Sequence, residues 1–243
     1  DVARFAMGFD GMLASGWDYS AYYQYGISST LTHGTNAVDI AKVAISASPE
    51  ECAAQAAQGC TLTNYFGLNS ITPSQADYLR TTYKSRNKNI QHVLAGELRG
   101  DLLALPAGSL SVIAGLQLRN EQSDVSPDIL VQEGRIGGTG FSRASKGSFS
   151  VIETYLATSI PVFEHSFLGY GLTVDAGFRY SYFSTVKDVS SWQLGAEYRP
   201  VKSVSFRASY QAANRAPNLS ELFQPGTSDR HYYNDPCNDF GQS

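Results

Sequence analysis

The side chains able to do chemistry in this 243-residue chain do not gather into a reactive constellation. Four histidines, His33, His92, His165 and His231, lie far apart and lack metal-ligand spacing among themselves. No GxSxG elbow, HExxH pair or phosphate-cradling loop occurs. Gly137-Gly138-Thr139-Gly140 is glycine-rich, but it follows no clear buried strand and opens no helix, so it reads as a flexible loop. Asp235, Asn238 and Asp239 offer oxygens around Cys237 without EF-hand spacing and read as loop solvation. Asn218-Leu219-Ser220 matches a glycosylation acceptor, a signal too common to weigh. The expectation is no catalytic residue, no metal and no cofactor: not an enzyme. Cys52 and Cys60 flank an Ala/Gln-rich stretch and could close a disulfide there, worth about 2–3 kcal/mol; two free buried thiols are the alternative. Cys237 is then unpaired, which predicts a mate beyond the end of this sequence.

The remaining charges sit in segments that alternate with period two, which is strand behaviour. Ala3, Phe5, Met7 and Phe9 alternate with Arg4, Ala6, Gly8 and Asp10. Trp17, Tyr19, Ala21, Tyr23, Tyr25 and Ile27 follow after a small turn. Six further segments begin near Leu94, Leu110, Ile152, Leu172, Trp192 and Val204. Within all eight, every Asp, Glu, Lys and Arg falls on the polar phase. Glu97, Arg99, Arg119, Glu153, Arg179 and Arg207 therefore share one kind of face. They suit a wet lumen with cross-strand ion pairs, or contacts to an inserted plug or a solute path.

Charged residues make up 16% of the chain, well under the usual ~25%, while Tyr (15) and Phe (12) are abundant. The net charge of -4 provides no basic field, so nucleic acid is not an expected partner. Mean hydropathy is -0.21 and no apolar run approaches the ~18 residues of a membrane helix. That leaves membrane strands open, because they carry apolar residues only at every second position. Trp17 and Tyr198 sit beside short turns, and Tyr25, Tyr182 and Trp192 beside the opposite loops, as two aromatic belts flanking an aliphatic band would. No signal peptide is visible: the chain opens on Asp1-Val2-Ala3-Arg4, already inside a patterned segment.

Connections alternate in length. Short turns are expected at Ala14–Gly16, Leu105–Gly108, Pro161–Ser166 and Pro200–Ser203. Between them lie a loop from His33 to about Asn89, another at Ser123–Lys146, a small one near Thr185–Ser190, and a tail from Asn214. Tight turns on one side and long loops on the other are the habit of outer-membrane barrels, with the long loops extracellular. The first loop carries helical patterns over Ala37–Ala47, ended before Pro49, and from Pro73 to about Arg86 with Thr72 as N-cap. The fold class is thus all-β: an antiparallel transmembrane β-barrel segment of about eight strands, with long extracellular loops carrying short helices.

Several motifs, in order along nearly the whole chain, resemble the TonB-dependent receptor family of the Gram-negative outer membrane. The most specific is Asn214-Arg215-Ala216-Pro217-Asn218-Leu219-Ser220-Glu221-Leu222-Phe223 after the strand Phe206–Tyr210, similar to the family's R-A-P-x-x-x-E-L-F element inside the barrel. Gly59-Cys60 with Asn64-Tyr65-Phe66-Gly67 resembles its G-C-x-x-x-N-x-F-G loop. Leu105-Pro106-Ala107-Gly108, then Gly115 to Arg119 and Glu121, resembles its L-P-A-G turn and G-x-x-x-R-x-E strand. Glu153-Thr154-Tyr155 and Ile160-Pro161 match another strand and turn, and Asp235-Pro236-Cys237 looks like a loop whose cysteine pairs further on. One departure is Thr158, near which relatives tend to carry an acid.

The resemblance implies a twenty-two-strand barrel around an N-terminal plug, with residues 1–243 a partial barrel domain and 34–89 a long extracellular loop in it. It implies import of a scarce small-molecule ligand (a ferric siderophore, cobalamin or a carbohydrate) with energy from the TonB complex through an N-terminal part not in this chain. The other partner is outer-membrane lipid. Arg215, Arg230, His231, Tyr232 and Tyr233 form a candidate ligand-contact group, since anionic siderophores suit arginine and aromatic rings. With eight strands and two unpaired edges, the isolated chain is expected to aggregate or stay unfolded. A self-contained eight-strand barrel with a structural or adhesive role is the alternative, and an outer-membrane hydrolase ranks last.

Overall fold

The computed structural model describes residues 1–224 and 226–228. The period-two segments form eight strands: β1 (Val2–Met12), β2 (Asp18–Val38), β3 (Arg80–Leu105), β4 (Gly108–Ser126), β5 (Ser145–Ser166), β6 (Gly169–Phe183), β7 (Lys187–Val201) and β8 (Val204–Ala212). They lie in one sheet in chain order, each beside its sequence neighbour, with β1 and β8 at the edges. β1–β2, β5–β6, β6–β7 and β7–β8 pair antiparallel, with registers such as Phe5↔Tyr25, Glu153↔Ser181 and Glu197↔Arg207. Apolar phase therefore meets apolar phase and polar meets polar, whereas a one-residue slip would mix the two faces. Among the described residues no helix is long and apolar enough to cross a membrane.

The chain divides into two units. The first holds Asp1–Ser28, Asn89–Ser123 and Gly147–Leu222. Its apolar face is bare: Leu94, Leu98, Leu116, Ile152, Leu156, Phe178, Leu194, Phe206 and Tyr210 are all exposed. Water-soluble monomers rarely expose so many large apolar side chains on one face. Such a face is what a sheet turned to lipid requires. The small core lies on the other face, where Phe149, Val151 and Phe183 are buried against Val189, Ala216, Leu219 and Leu222.

The second unit holds Ser29–Lys88, Asp124–Lys146 and the described residues from Phe223. It carries α1 (Ile40–Ala47), α2 (Pro49–Ala54), a 3-10 turn (Ala56–Gln58), α3 (Pro73–Leu79) and α4 (Ile129–Gln132). Asp39 caps α1 by accepting from the Ala41 N–H, and Ser48 caps α2, with Pro49 at its first position. Thr72 and Gln75 close a reciprocal capping box on α3. Cys52 and Cys60 are joined by a disulfide with Cα atoms 5.4 Å apart.

Several boundaries differ from the sequence reading. β2 runs to Val38 and β3 begins at Arg80, so both ends of the expected 33–89 loop are strand, and the β6–β7 connection expected at Thr185–Ser190 shrinks to residues 184–186 because β7 begins at Lys187. The helix expected to reach Arg86 ends at Leu79, where Arg80 turns extended (φ -67, ψ 145) into Thr81-Thr82-Tyr83. Two β-branched residues and an aromatic favour the pleated backbone there. The helix expected from Ala37 begins only at Ile40, because Asp39 takes the cap. Pro161 makes no turn: β5 continues to Ser166 through an irregularity between Pro161 and Phe163, where a missing N–H is tolerated. The reversal falls at Phe167-Leu168, flanked by left-handed His165 (φ 49) and Gly169 (φ 141).

Candidate functional site

The polar face of the first unit is a wall of side chains that bond to one another across strands. Arg4 on β1 donates to Gln24 on β2 (2.5 Å), Gln24 donates to Gln91 on β3 (3.3 Å), and Gln91 donates to Glu121 on β4 (3.2 Å). Glu121 in turn pairs with Arg119 of its own strand. A second set centres on Tyr155, whose hydroxyl donates to Glu97 (2.6 Å) while Arg179 lies over its ring (5.3 Å). Tyr155 is on β5 and Glu97 on β3, so the ring must cross β4. It does so over Gly115, where a Cβ would fall inside the ring. Arg99 donates to the other oxygen of Glu97 (3.2 Å).

Glu153 is 8% exposed and accepts from Gln117 (3.1 Å) and Ser181 (2.9 Å). Glu197 accepts from Arg207 (3.0 Å) and Ser205 (3.1 Å). The six charges read from alternation, Glu97, Arg99, Arg119, Glu153, Arg179 and Arg207, thus all stand on this polar wall. Glu97 meets Arg99, while Arg119 and Arg207 meet acids outside that set. Tyr155, Gln117 and Gln91 carry as much of the network, and period-two placement alone could have found them.

After β8 the chain folds onto this wall as a capped turn, α5 (Leu219–Phe223). Asn218 accepts from the Glu221 N–H (2.9 Å), and Glu221 accepts from the Asn218 N–H (2.8 Å), a reciprocal box readable from the N-x-x-E spacing. Arg215 grips both oxygens of Glu221 (2.9 and 2.7 Å). That grip, with the Asn218 N–H, holds the Glu221 carboxyl below its ordinary range and raises the Arg215 guanidinium. Ala216, Leu219 and Leu222 complete the small core. Arg215, expected as a ligand contact, has its fork engaged inside its own element; Arg230, His231, Tyr232, Tyr233 and Cys237 lie outside the described residues.

Beside this element, wholly within the first unit, opens a cavity of about 640 Å³. Arg119, Glu153, Tyr155, Arg179, Gln193 and Gln211 are among its lining. Its lining comes from β4, β5, β6, β7 and β8 and from residues 213–218 that follow β8, at the end of the sheet opposite the turns at Pro106-Ala107, Phe167-Leu168 and Lys202-Ser203.

In the second unit, Asp39 is almost fully buried and accepts from Arg135 Nε (3.1 Å) and Nη2 (2.5 Å). Burial pushes its carboxyl up, but Arg135 and the Ala41 N–H outweigh it and hold the carboxyl below its ordinary value. Ile40 N–H to the Arg135 carbonyl (2.8 Å) and Gly137 N–H to the Val38 carbonyl (2.7 Å) stitch the same two segments. Nothing in the sequence links residues 96 positions apart, so this clamp was not legible. Gly137-Gly138-Thr139-Gly140 opens no helix, and Gly138 adopts φ +87 in a turn. Among the described residues no group of His, Cys, Asp and Glu could hold a metal.

No curated protein and no solved structure matches the chain. The family model described as TonB dependent receptor-like, beta-barrel, matches residues 2–241. That span takes in all eight strands, the polar wall and the capped R-A-P element. With an exposed apolar face, a bonded polar face and a family match over nearly its entire length, the chain belongs to the TonB-dependent receptor β-barrel family.

Proposed function

We propose that this chain forms wall and mouth of a receptor that carries a scarce small molecule (a ferric siderophore, cobalamin or a carbohydrate) across the outer membrane. Family membership supports TonB-dependent transport at the outer membrane in general, and a transporter rather than an enzyme. The observation that carries the reading is the two-faced eight-strand sheet lying inside that family match. In this reading residues 1–243 belong to one barrel domain, and the segment 34–89 and the stretch from Asn214 to Tyr233 reach the extracellular side. Glu97, Arg99, Arg119, Glu153, Arg179 and Arg207 line the lumen and meet the plug. Arg215 holds its element in place, and Arg230, His231, Tyr232 and Tyr233 meet ligand.

The test is uptake by cells carrying the whole receptor, with ferric citrate, cyanocobalamin and maltotriose as labelled probes. Uptake of at least one probe should be saturable, should need the receptor, and should stop when a proton uncoupler collapses the gradient. Receptor-dependent entry that survives the uncoupler would mean a passive pore and end the proposal.

A further inference from the structure

We propose that the lipid face of the first unit ends, beside the short turns, in a headgroup site built from His165, Tyr170 and Lys202 that takes an anionic phospholipid of the periplasmic leaflet. The inference needs only the lipid-facing sheet and not the import reading. Leu172 and Tyr198 oppose each other on the apolar phase of β6 and β7. The pairs Glu164↔Gly171 and Ser166↔Gly169 place His165 opposite Tyr170, on the same phase as Leu172 and nearer the turn. The Tyr170 ring is met from two directions. The His165 ring lies edge-on to it at 4.3 Å, and Nζ of Lys202 lies 5.4 Å from its centroid. Phe163 and Tyr198 add a second ring contact beside them (6.5 Å). In outer-membrane barrels the short turns face the periplasm and aromatic rings mark the membrane interface, so this cluster stands at headgroup depth.

Shape and charge choose the occupant. A cavity of about 400 Å³ opens around the Tyr170 ring, lined also by Phe167 and Val201. Phe167 is 96% exposed at the tip of the turn, with Leu168 and Val201 exposed near it. The turn that carries them is fixed: the Tyr198 hydroxyl donates to the Leu168 carbonyl (2.6 Å), and the Leu168 N–H donates to Ser166 Oγ (3.4 Å). Apolar side chains therefore continue past the aromatic rings, where glycerol and the first acyl carbons of a lipid would lie. The charged groups of the cavity are Lys202 and His165, and among the described residues no carboxylate lines it. Glu164 reaches within 3.8 Å of His165 Nδ1, but it stands on the polar phase, opposite Gly171. Arg199 belongs to that phase too and is paired with Glu197. Lys202 is held over a ring and not by an acid, so one cation is left uncompensated on the lipid side. A phosphodiester oxygen accepts from that ammonium and from an imidazole N–H, while the lipid's chains follow the apolar band at Leu172 and Phe163. A zwitterionic headgroup would bring its own ammonium to a site whose spare charge is already positive.

The experiment is native mass spectrometry of the whole receptor in detergent, titrated with dimyristoyl phosphatidylglycerol as the anionic probe and dimyristoyl phosphatidylcholine as the zwitterionic one. The first lipid retained should be phosphatidylglycerol. Lys202→Gln should lower that retention about fivefold, the worth of one lysine at an anionic surface, and Lys202→Arg should keep it. Lys187→Gln removes a cation from the opposite end of β7 and should leave retention unchanged. Heat-modifiable migration on a gel establishes that the variants fold. Equal retention of the two lipids, a preference that survives Lys202→Gln, or an equal loss in Lys187→Gln would each overturn the assignment. A last arm adds sn-glycerol 3-phosphate, the soluble headgroup. It should fail to displace the lipid; displacement at matching concentration would mean a site for soluble phosphate and remove the lipid.

Discussion

Removing the Asp39 carboxylate should loosen the second unit while leaving the strands of the first intact. Asp39 is 1% exposed and does two jobs, accepting the α1 capping bond from Ala41 and both guanidinium bonds from Arg135. Loss of an N-cap costs about 1 kcal/mol. Breaking a fully buried ion pair costs about 3–5 kcal/mol, but the Arg135 side chain is 35% exposed and water recovers much of that. A total of roughly 2–3 kcal/mol for Asp39→Ala corresponds to opening the clamp about 30- to 140-fold more often. Amide hydrogen exchange on the detergent-solubilised receptor reads this directly at Ile40 and Gly137, whose N–H groups bond to Arg135 and Val38. Asp39→Asn keeps a good cap and loses the charge, so it should fall between wild type and alanine. Because the folded carboxyl lies below its ordinary value, its stabilisation is present above the unfolded pKa of ~4 and lost as pH falls through the folded one. Exchange at the two amides should therefore quicken only below about pH 4. Less than a threefold change at both amides in Asp39→Ala would refute the clamp.

Leu194→Arg puts a cation on the lipid face near the middle of β7 and should cost about 2–4 kcal/mol of folding free energy. Ser209→Arg, on the polar phase of β8, should change urea unfolding in lipid vesicles by much less; equal losses would contradict the assigned faces. Gly115→Val drives a side chain into the Tyr155 ring and should lower the fraction of heat-modifiable receptor, whereas Tyr155→Phe, which only removes the bond to Glu97, should fold normally. Cys52→Ser/Cys60→Ser should expose the α2 region to protease while the barrel persists, since closing so short a loop is worth about 2.5 kcal/mol locally.

Much of the fold was legible because a membrane sheet writes its environment at every second residue. The phase of Leu94, Leu98 and Leu102 against Glu97, Arg99 and Asp101 follows from lipid on one side alone, with no tertiary information. Boundaries beyond the bilayer were not legible, because outside lipid the alternation relaxes. β3 has 26 residues, against the 9–11 or so that cross a membrane, and its Arg80–Lys88 stretch reads equally as polar helix or polar strand. Site residues divide in the same way. Polar-phase charges could be assigned to a face, but which acid meets which base depends on registers such as Glu197↔Arg207, and on Gly115 being small enough for Tyr155 to cross. The Asp39–Arg135 clamp joins two separate connections, and only the folded chain brings them together.

The wall's internal pairing answers a physical problem that a soluble sheet solves with its core. The first unit buries few apolar side chains, so packing complementarity cannot fix strand registers. Backbone ladders alone tolerate slippage. Two other devices take over. One is the hydrogen-bonded relay from Arg4 through Gln24 and Gln91 to Glu121, which a one-residue slip of any strand would break by sending a member to the lipid face. The other is an aromatic ring laid across a glycine: Trp17 over Gly100 near one turn, and Tyr155 over Gly115 on the polar wall. Each fits only where the opposing residue lacks a Cβ, so each marks one register as correct.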